Sequence, residues 1–260
     1  MSESYTMGIK LKCLLLITHL LTASAVYGQV NIESSRLPQN SEDGIYITSE
    51  LGYDVKRGNT DVTEIKSGLR ADYIQGKHHL FLSSKFEYGE SSDVDFKNSI
   101  YAHLRHTYMF WTNLGIEEFV QTQSRKFNEL RLRQLFGLGS RFEVKGDLFV
   151  FAIGFGGMFE YEDLTTDDDD LWVIRSTNYV SLRHKLGYKN APIQAYAISY
   201  YQPLIPDVQD YRVLTDVGLE YSFLKIFVIS NSFGSIYDTR PPIGVGKFDL
   251  SNGFKIKVIW

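Results

Sequence analysis

Cysteine and proline are scarce in this chain of 260 residues, which has one cysteine, Cys13, and six prolines. A lone cysteine cannot form an intrachain disulfide or a thiolate metal cluster, so packing and hydrogen bonding must hold the fold together. The chain also lacks a large excess of charge of either sign, because it has 27 Lys and Arg residues and 31 Asp and Glu residues. This balance argues against a nucleic-acid-binding surface. With 43% hydrophobic and 14% aromatic residues, the chain is predicted to fold rather than remain disordered.

Membrane-spanning hydrophobic runs are absent as well. The apolar run at residues 14–21 follows Lys10 and Lys12 and precedes small residues up to Gly28. It is shorter than the roughly 20 residues of a membrane-spanning helix, and its flanks are typical of a secretory signal peptide. We expect a signal peptide at residues 1–28, cleaved after Gly28 or alternatively after Ala25, and a short periplasmic segment at 29–43. Any membrane insertion of the remaining chain would then require a β-barrel.

From residue 44 to residue 260, apolar and polar residues alternate with a period of two. In the first such segment Ile45, Ile47 and Leu51 alternate with Tyr46, Thr48 and Glu50. This pattern predicts strands with one apolar face and one face in contact with water. Twelve such segments follow one another at about 19 residues per strand and connection, a spacing that suits strands tilted across a bilayer. In the fifth segment, residues 114–123, both faces carry polar residues and the facing is not assigned.

The connections between these segments differ in length on the two sides of the predicted sheet. Short connections lie near 75–78, 111–113, 145–147, 187–192 and 223–225. The connections on the other side, which include the longest, lie near 56–60, 91–97, 124–128, 162–171, 203–210 and 238–246. Short periplasmic turns and long external loops are typical of outer-membrane barrels. We therefore predict an all-β, antiparallel up-and-down transmembrane barrel over residues 44–260, in the outer membrane of a Gram-negative bacterium.

The chain ends on four residues in one register of the last alternating segment: Phe254, Ile256, Val258 and Trp260. A C-terminal aromatic residue on such a strand resembles the signal read by the barrel assembly machinery of the outer membrane. We expect that machinery to be a partner during biogenesis. Lipid and lipopolysaccharide are the expected partners of the mature protein, which we take to be a monomer.

A family resemblance is carried by short turn and strand signatures along nearly the whole mature chain. These are Leu51-Gly52-Tyr53, Gly58-Asn59-Thr60, Leu130-Arg131, Gly137-Leu138-Gly139, Tyr237-Asp238, Pro241-Pro242 and Lys247-Phe248-Asp249. They resemble the YdiY-like family of salt-induced outer-membrane proteins. The resemblance implies an outer-membrane barrel and little about chemistry, because the family is largely of unknown function.

The charged residues that alternate away from the apolar face are the candidate functional residues. The predicted pore-lining set is Lys66, Arg70, Lys85, Glu87, Arg105, Glu129, Arg131, Arg133, Arg141, Arg175, Arg183, Asp216 and Glu220. Two interpretations remain open: a narrow water-filled channel whose charges set selectivity, and a lumen filled by ion pairs that acts as a scaffold for the envelope. Arginine excess, above all at Arg131, Arg133 and Arg141, favours anionic solutes if a pore exists.

Other functions have weaker support in the sequence. The run Asp167, Asp168, Asp169 and Asp170 is a candidate external cation contact, but it lacks the alternating ligands of a calcium loop, and we expect no metal site and no cofactor. An outer-membrane lipid hydrolase is one alternative class and a soluble, lipocalin-like binding barrel is another. A hydrolase would need a nucleophile beside a base, whereas His106 and His184 have no such neighbour on an apolar face. We therefore expect a non-enzymatic protein. Asn178, Asn231 and Asn252 stand unexplained on otherwise apolar faces.

Overall fold

The computed structural model describes residues 42–57, 62–91, 97–125, 130–164, 171–187, 192–223, 226–241 and 246–260. The predicted signal peptide, most of the periplasmic segment, Glu129 and the four aspartates at 167–170 lie outside these residues. Within the described part of the chain, no helix is long and apolar enough to cross a bilayer.

Twelve strands make up the described fold. Their bounds are β1 Gly44–Arg57, β2 Val62–Gln75, β3 His78–Ser91, β4 Lys97–Tyr108, β5 Leu114–Arg125, β6 Leu130–Lys145, β7 Phe149–Leu164, β8 Leu171–Lys185, β9 Ile193–Ile205, β10 Tyr211–Phe223, β11 Phe227–Asp238 and β12 Phe248–Ile259. Each is 12 to 16 residues long, which is enough to cross a hydrocarbon layer at the tilt usual for barrels.

The sheet closes on itself. Each strand pairs antiparallel with its neighbours in sequence, and β1 pairs with β12, so that Tyr53 lies opposite Phe254. We call the end of the barrel with the short turns the inner end, and the end with the long connections the outer end. At the inner end of this seam the Ile47 and Trp260 backbones exchange hydrogen bonds, with N–O distances of 3.3 and 2.8 Å. The twelve described strands therefore leave no open sheet edge. The predicted twelve-stranded antiparallel barrel of the outer-membrane type is confirmed.

Alternation along the strands gives the barrel an apolar outer wall and a charged interior. Outward side chains such as Leu51, Leu69, Ile100 and Leu138 are exposed, whereas inward charged groups such as Arg105 are buried. A soluble binding barrel has the opposite arrangement, with its apolar residues facing inward. The observed polarity therefore argues against the lipocalin-like alternative and matches a wall in contact with lipid.

Aromatic side chains occupy both rims of the outer wall. At the outer rim the exposed rings are Tyr53, Tyr88, Trp172 and Tyr237, and at the inner rim they are Tyr73, Trp111, Phe149, Tyr221 and Trp260. Tyr and Trp rings prefer the boundary between hydrocarbon and water, because they combine an apolar body with a polar tip. The spacing of the two rims thus defines the band of the wall that is suited to hydrocarbon.

The outward asparagines bond to the barrel's own backbone. Asn231 donates from Nδ2 to the Gly253 carbonyl at 3.1 Å, and Asn252 donates from Nδ2 to the Ser232 carbonyl at 3.1 Å. Asn178 donates from Nδ2 to the Tyr201 carbonyl at 3.3 Å and to Ser176 Oγ at 2.9 Å. These bonds compensate the amide groups for the loss of water on an apolar face. The strand register predicted from the sequence therefore holds at all three positions.

Charged substitutions on the outer wall should destabilise the barrel in lipid. We expect Leu69→Arg, Ile153→Arg and Val180→Arg each to lower the free energy of unfolding by up to about 2–4 kcal/mol at mid-bilayer, because the guanidinium group must enter hydrocarbon. Reversible urea unfolding in lipid vesicles measures this change. The control is Thr48→Ala, which keeps a small side chain on the inner face of β1; full stability of all three arginine variants would contradict the assigned facing.

Candidate functional site

Six of the buried arginines of the interior lie on β4, β6, β8 and β10. The interior lysines lie on β2, β3 and β12, with carboxylates from β1 and β10 beside them. Arg105, Arg133, Arg141, Arg175, Arg183 and Arg212 are all buried, at 1–6% exposure. A cation in such a position requires carboxylate partners to offset its loss of hydration. The partners of five of these arginines form two clusters, one at each end of the barrel, whereas Arg183 donates from Nη1 to Glu220 Oε2 at 3.3 Å.

The inner arginine cluster consists of Arg105, Glu117, Arg141, Glu143 and Tyr179. Arg105 Nη1 donates to Glu117 Oε2 at 3.2 Å, and Arg141 Nη2 donates to Glu143 Oε2 at 2.6 Å. Tyr179 connects these pairs, because its Oη accepts from Arg141 Nη1 and donates to Glu117 Oε2, both at 2.6 Å. Tyr179 lies on β8 and Glu117 on β5, so this cluster bridges strands that are not neighbours in the wall.

The outer arginine cluster is centred on Glu160, which has no exposed surface. Glu160 accepts from Arg175 Nε and from Arg212 Nη1, each at 3.0 Å, and Arg133 Nε lies 3.3 Å from its Oε1. Arg212 Nε also donates to Asp238 Oδ2 at 3.0 Å. Strands β6, β7, β8, β10 and β11 are thereby joined from inside. Charge-assisted bonds of this kind are stronger than neutral ones.

Apolar side chains fill the interior between the two arginine clusters. Phe119, Leu135 and Met158 pack together, and a second group contains Tyr200 and Ile198. All five are at most 6% exposed. At this level the β4–β10 side of the barrel is a packed core rather than a water-filled space. Sequence alternation alone did not predict this core, because it assigned the inner face to polar and small residues.

The lysine strip lies on the opposite side of the interior, and we define it by Lys66, Lys85, Lys255 and Lys257 with the carboxylates around them. Lys257 Nζ donates to Glu220 Oε1 at 2.7 Å, and Lys85 Nζ lies 3.8 Å from Glu50 Oε1. Lys66 pairs with Asp54 and lies 3.4 Å from Glu87. The side chains of Lys66, Lys85 and Lys257 keep 15%, 13% and 12% exposure. Water therefore reaches this strip.

Inward glycines make room for aromatic rings that lie against the wall. Phe119 lies over Gly137, Tyr179 over Gly154 and Tyr196 over Gly218, each ring directly opposite its glycine on the neighbouring strand. A Cβ atom at Gly218 would come within 2.7 Å of the Tyr196 ring. Cross-strand pairs of this kind stabilise a sheet through contact area. The glycine at 154 also sets the position of Tyr179, and hence of the inner arginine cluster.

The structure gives positions for twelve of the thirteen predicted pore-lining residues. Eleven face the interior: Lys66, Arg70, Lys85, Glu87, Arg105, Arg133, Arg141, Arg175, Arg183, Asp216 and Glu220. Arg70 bonds its Nε to Asp72 Oδ2 at 2.7 Å within one strand. Glu129 and the predicted cation contact at 167–170 lie outside the described residues.

Arg131 is a correction, because its side chain is 64% exposed and pairs with Asp163 at 3.3 Å rather than entering the interior. The pairing of β6 with β7 shifts register between Leu130 and Leu132. A bulge inserts one residue and breaks the alternation of faces. Leu130 is consequently buried at 6% exposure, although the alternation placed it outside.

Glu117 and Glu162 are interior residues that sequence reasoning missed. Glu117 belongs to the segment whose facing was unassigned, and Glu162 was assigned to a loop although β7 extends to Leu164. Arg133 Nε donates to Glu162 Oε1 at 2.7 Å. An excess of unpaired arginines on the predicted inner face was the one signal that further buried carboxylates were needed.

Enlarging a covered glycine should weaken the barrel. We expect Gly154→Ala to lower the free energy of unfolding by about 1–3 kcal/mol, since the added methyl group overlaps the Tyr179 ring and forces it away from Glu117. Gly157→Ala is the matched control on the same strand, because its Cβ faces outward and lies 3.9 Å from the nearest heavy atom. Urea unfolding in vesicles compares the two, and equal stability would contradict the ring placement.

Comparison with known proteins agrees with this architecture. The KdgM porin structure matches with a TM-score of 0.52 and 13% identity, over 81% of this chain and 98% of the porin. The NanC porin structure matches with a TM-score of 0.57 and 8% identity, again over 81% and 98%. At these identities the likeness establishes the fold alone. No curated protein matches the chain.

One family model matches most of the sequence. Its description is "Protein of unknown function, DUF481", and the match covers residues 49–260. The match begins within β1 and runs through β12, so it contains nearly the whole barrel. The chain therefore belongs to the DUF481 family, in agreement with the resemblance seen in its turn and strand signatures.

Proposed function

We propose that this protein is a narrow passive channel for small hydrophilic solutes, and that its permeation path follows the lysine strip. The observation that carries the proposal is the difference in exposure between the two sides of the interior. Lys66 and Lys85 keep 15% and 13% side-chain exposure, whereas Arg105 and Arg133 keep 2% and 1%. Water therefore reaches Lys66 and Lys85 but not Arg105 or Arg133, and we assign the path of a small solute to the lysine side on this ground. The porin fold supports the same class of function.

Small residues contribute to the width of this path. Gly52, Gly68, Gly89, Gly234 and Gly253 are interior positions on the strands around the lysine strip. Side chains of the strip lie over several of them; for example, a Cβ at Gly68 would come within 2.7 Å of Glu50 Cγ. A long charged side chain that lies along the wall over a glycine occupies less of the lumen than a side chain that extends across it. A path bordered by such side chains is compatible with small solutes only.

The charge of the lysine strip supports a weak preference for cations. Five cations, the ammonium groups of Lys66, Lys85, Lys255 and Lys257 and the Arg183 guanidinium on Glu220, face six carboxylates, those of Glu50, Asp54, Glu64, Glu87, Asp216 and Glu220. Arg133 and Arg141, on which the expectation of anion passage relied, are buried against carboxylates instead. A paired and buried cation contributes little to the field in a path on the other side of the barrel.

The cellular setting is part of the proposal. We infer insertion into a bacterial outer membrane as a monomer, in contact with lipid and lipopolysaccharide, without nucleic acid and without enzymatic activity. The apolar outer wall with two aromatic rims supports this setting. The outward residues Phe254, Ile256 and Trp260 on the closing strand support recognition by the barrel assembly machinery.

A closed barrel that acts as a structural element of the envelope is the second candidate. The packed apolar layer around Leu135 and Met158, together with the two arginine clusters, favours it. A lumen filled in this way stiffens the wall but passes nothing. The two candidates predict different results for the conductance of a lipid bilayer that contains the protein: a channel conducts ions and a closed barrel does not.

Planar-bilayer recording of the refolded, heat-modifiable protein tests the channel directly. We expect discrete small conductance steps and, under a salt gradient, a reversal potential on the cation side, because the strip carries more carboxylates than ammonium groups. Glu87→Gln should move the reversal potential toward anions, while Lys66 keeps Asp54 as a partner. A correctly folded barrel that stays electrically silent would overturn the channel and leave the closed structural element.

The matched control is Glu118→Gln, the same chemical change on the outer wall, where the Glu118 side chain is 63% exposed. This substitution should leave the reversal potential unchanged. An equal shift in both variants would mean that the effect arises from the overall charge of the barrel rather than from the lysine strip.

A further inference from the structure

Three polar side chains form a hydrogen-bonded row on the outer wall near the inner rim. His78 Nδ1 and His106 Nε2 are 3.0 Å apart, and His106 Nδ1 is 3.0 Å from Glu118 Oε1. The ring of Tyr108 packs on His78 with 4.7 Å between centroids. Ionisable groups on a lipid-facing wall cost free energy and point to a functional site.

The chemistry of the row fixes which atoms donate. A carboxylate can only accept, so His106 donates to Glu118 from Nδ1; with a neutral imidazole, His106 Nε2 then accepts a hydrogen bond from His78 Nδ1. A carboxylate that orients an imidazole in this way also holds that ring in position. Among the residues that the structure describes, His106 is the one polar partner of Glu118, whose side chain is 63% exposed toward lipid. A carboxyl group is therefore presented on an apolar wall.

An apolar groove of about 780 Å³ contains His106 and Glu118 of this row and crosses the outward faces of β3 to β7. Its lining consists of Leu80, Leu104, His106, Glu118, Val120, Phe136, Leu138, Gly157 and Phe159, with Phe119 and Gly137 at its floor. Leu138 pairs directly with both Glu118 and Gly157 across adjacent strands. Gly157 has no side chain and thereby deepens the groove on that side. A groove of this size and polarity accommodates an acyl chain.

We propose that this groove binds a phospholipid whose head group carries a primary ammonium, with one acyl chain in the groove and the ammonium on Glu118. The ammonium supplies the charge and the N–H donors that the exposed carboxylate needs in a water-poor setting. Lys77, exposed in the turn before His78, donates from Nζ to the Phe110 carbonyl at 3.0 Å and adds positive charge to the same rim, where the lipid phosphate would lie. The polar end of the groove lies two residues from Tyr108 of β4 and so faces the inner leaflet.

Native mass spectrometry of the full mature barrel tests this inference with a defined mixture. The probes are phosphatidylethanolamine, phosphatidylcholine and phosphatidylglycerol with identical acyl chains at equal concentration. We expect about tenfold stronger retention of phosphatidylethanolamine, because its ammonium donates hydrogen bonds to Glu118 that a quaternary ammonium cannot donate. Equal retention of the three lipids would overturn the proposal and indicate an ordinary lipid annulus.

Two variants separate the head-group contact from the groove. Glu118→Gln should abolish the preference for phosphatidylethanolamine, whereas Asp207→Asn, the same loss of charge on an exposed residue at the opposite end, should keep it. Gly157→Leu should fill the groove and lower lipid retention, since an outward Cβ there has 3.9 Å of clearance. Ala71→Leu, an exposed site on the wall of β2, is its control.

Each outcome bears on the lipid site independently of the channel. Loss of preference in Glu118→Gln with retained heat-modifiability supports the proposal. An unchanged preference in that variant contradicts it, even when the protein conducts. Retention of lipopolysaccharide in place of phosphatidylethanolamine would also contradict it, because that lipid occupies the other leaflet.

Discussion

Backbone pairing between β1 and β12 is the interaction on which the rest of this structure depends. Inside hydrocarbon, each unpaired N–H or C=O group costs several kcal/mol, so a sheet is stable there only when it has no edge. The exchange of hydrogen bonds between Ile47 and Trp260 is part of the seam that removes the edge. Once the sheet is closed, successive side chains must point alternately to lipid and to the enclosed interior.

Closure has a second consequence, because it seals charged side chains into a small volume. Arg105, Arg133 and Arg141 are almost inaccessible to water, and each has carboxylate partners. The pairs do more than neutralise charge, since Tyr179 and Glu160 connect strands that are not adjacent in the wall. The interior thus braces one side of the barrel. Such buried pairs contribute to rigidity and specificity more surely than to net stability.

The two sides of the barrel interior differ, because one side is packed and braces the wall whereas the other is accessible to water. The arginine side is packed with rings, aliphatic groups and ion pairs, whereas the lysine side keeps water-accessible charges over glycine-rich strands. The outer wall is asymmetric as well, since His106 and Glu118 place a polar pair beside an apolar groove. A barrel of one simple topology therefore carries two chemically distinct places, one inside and one facing lipid.

The sequence by itself determined the number of strands, their antiparallel order and the facing of most residues, because a period of two reports directly which side of a strand is wet. Residues such as Leu69 and Arg175 were assigned correctly on that basis. Only the tertiary structure decided which interior charges pair, since partners such as Glu117 and Tyr179 are 62 residues apart in the chain. The tertiary structure also decided which way Arg131 faces. The bulge at this position depends on the register between β6 and β7, and it cannot be recognised from the alternation of apolar and polar residues in the sequence.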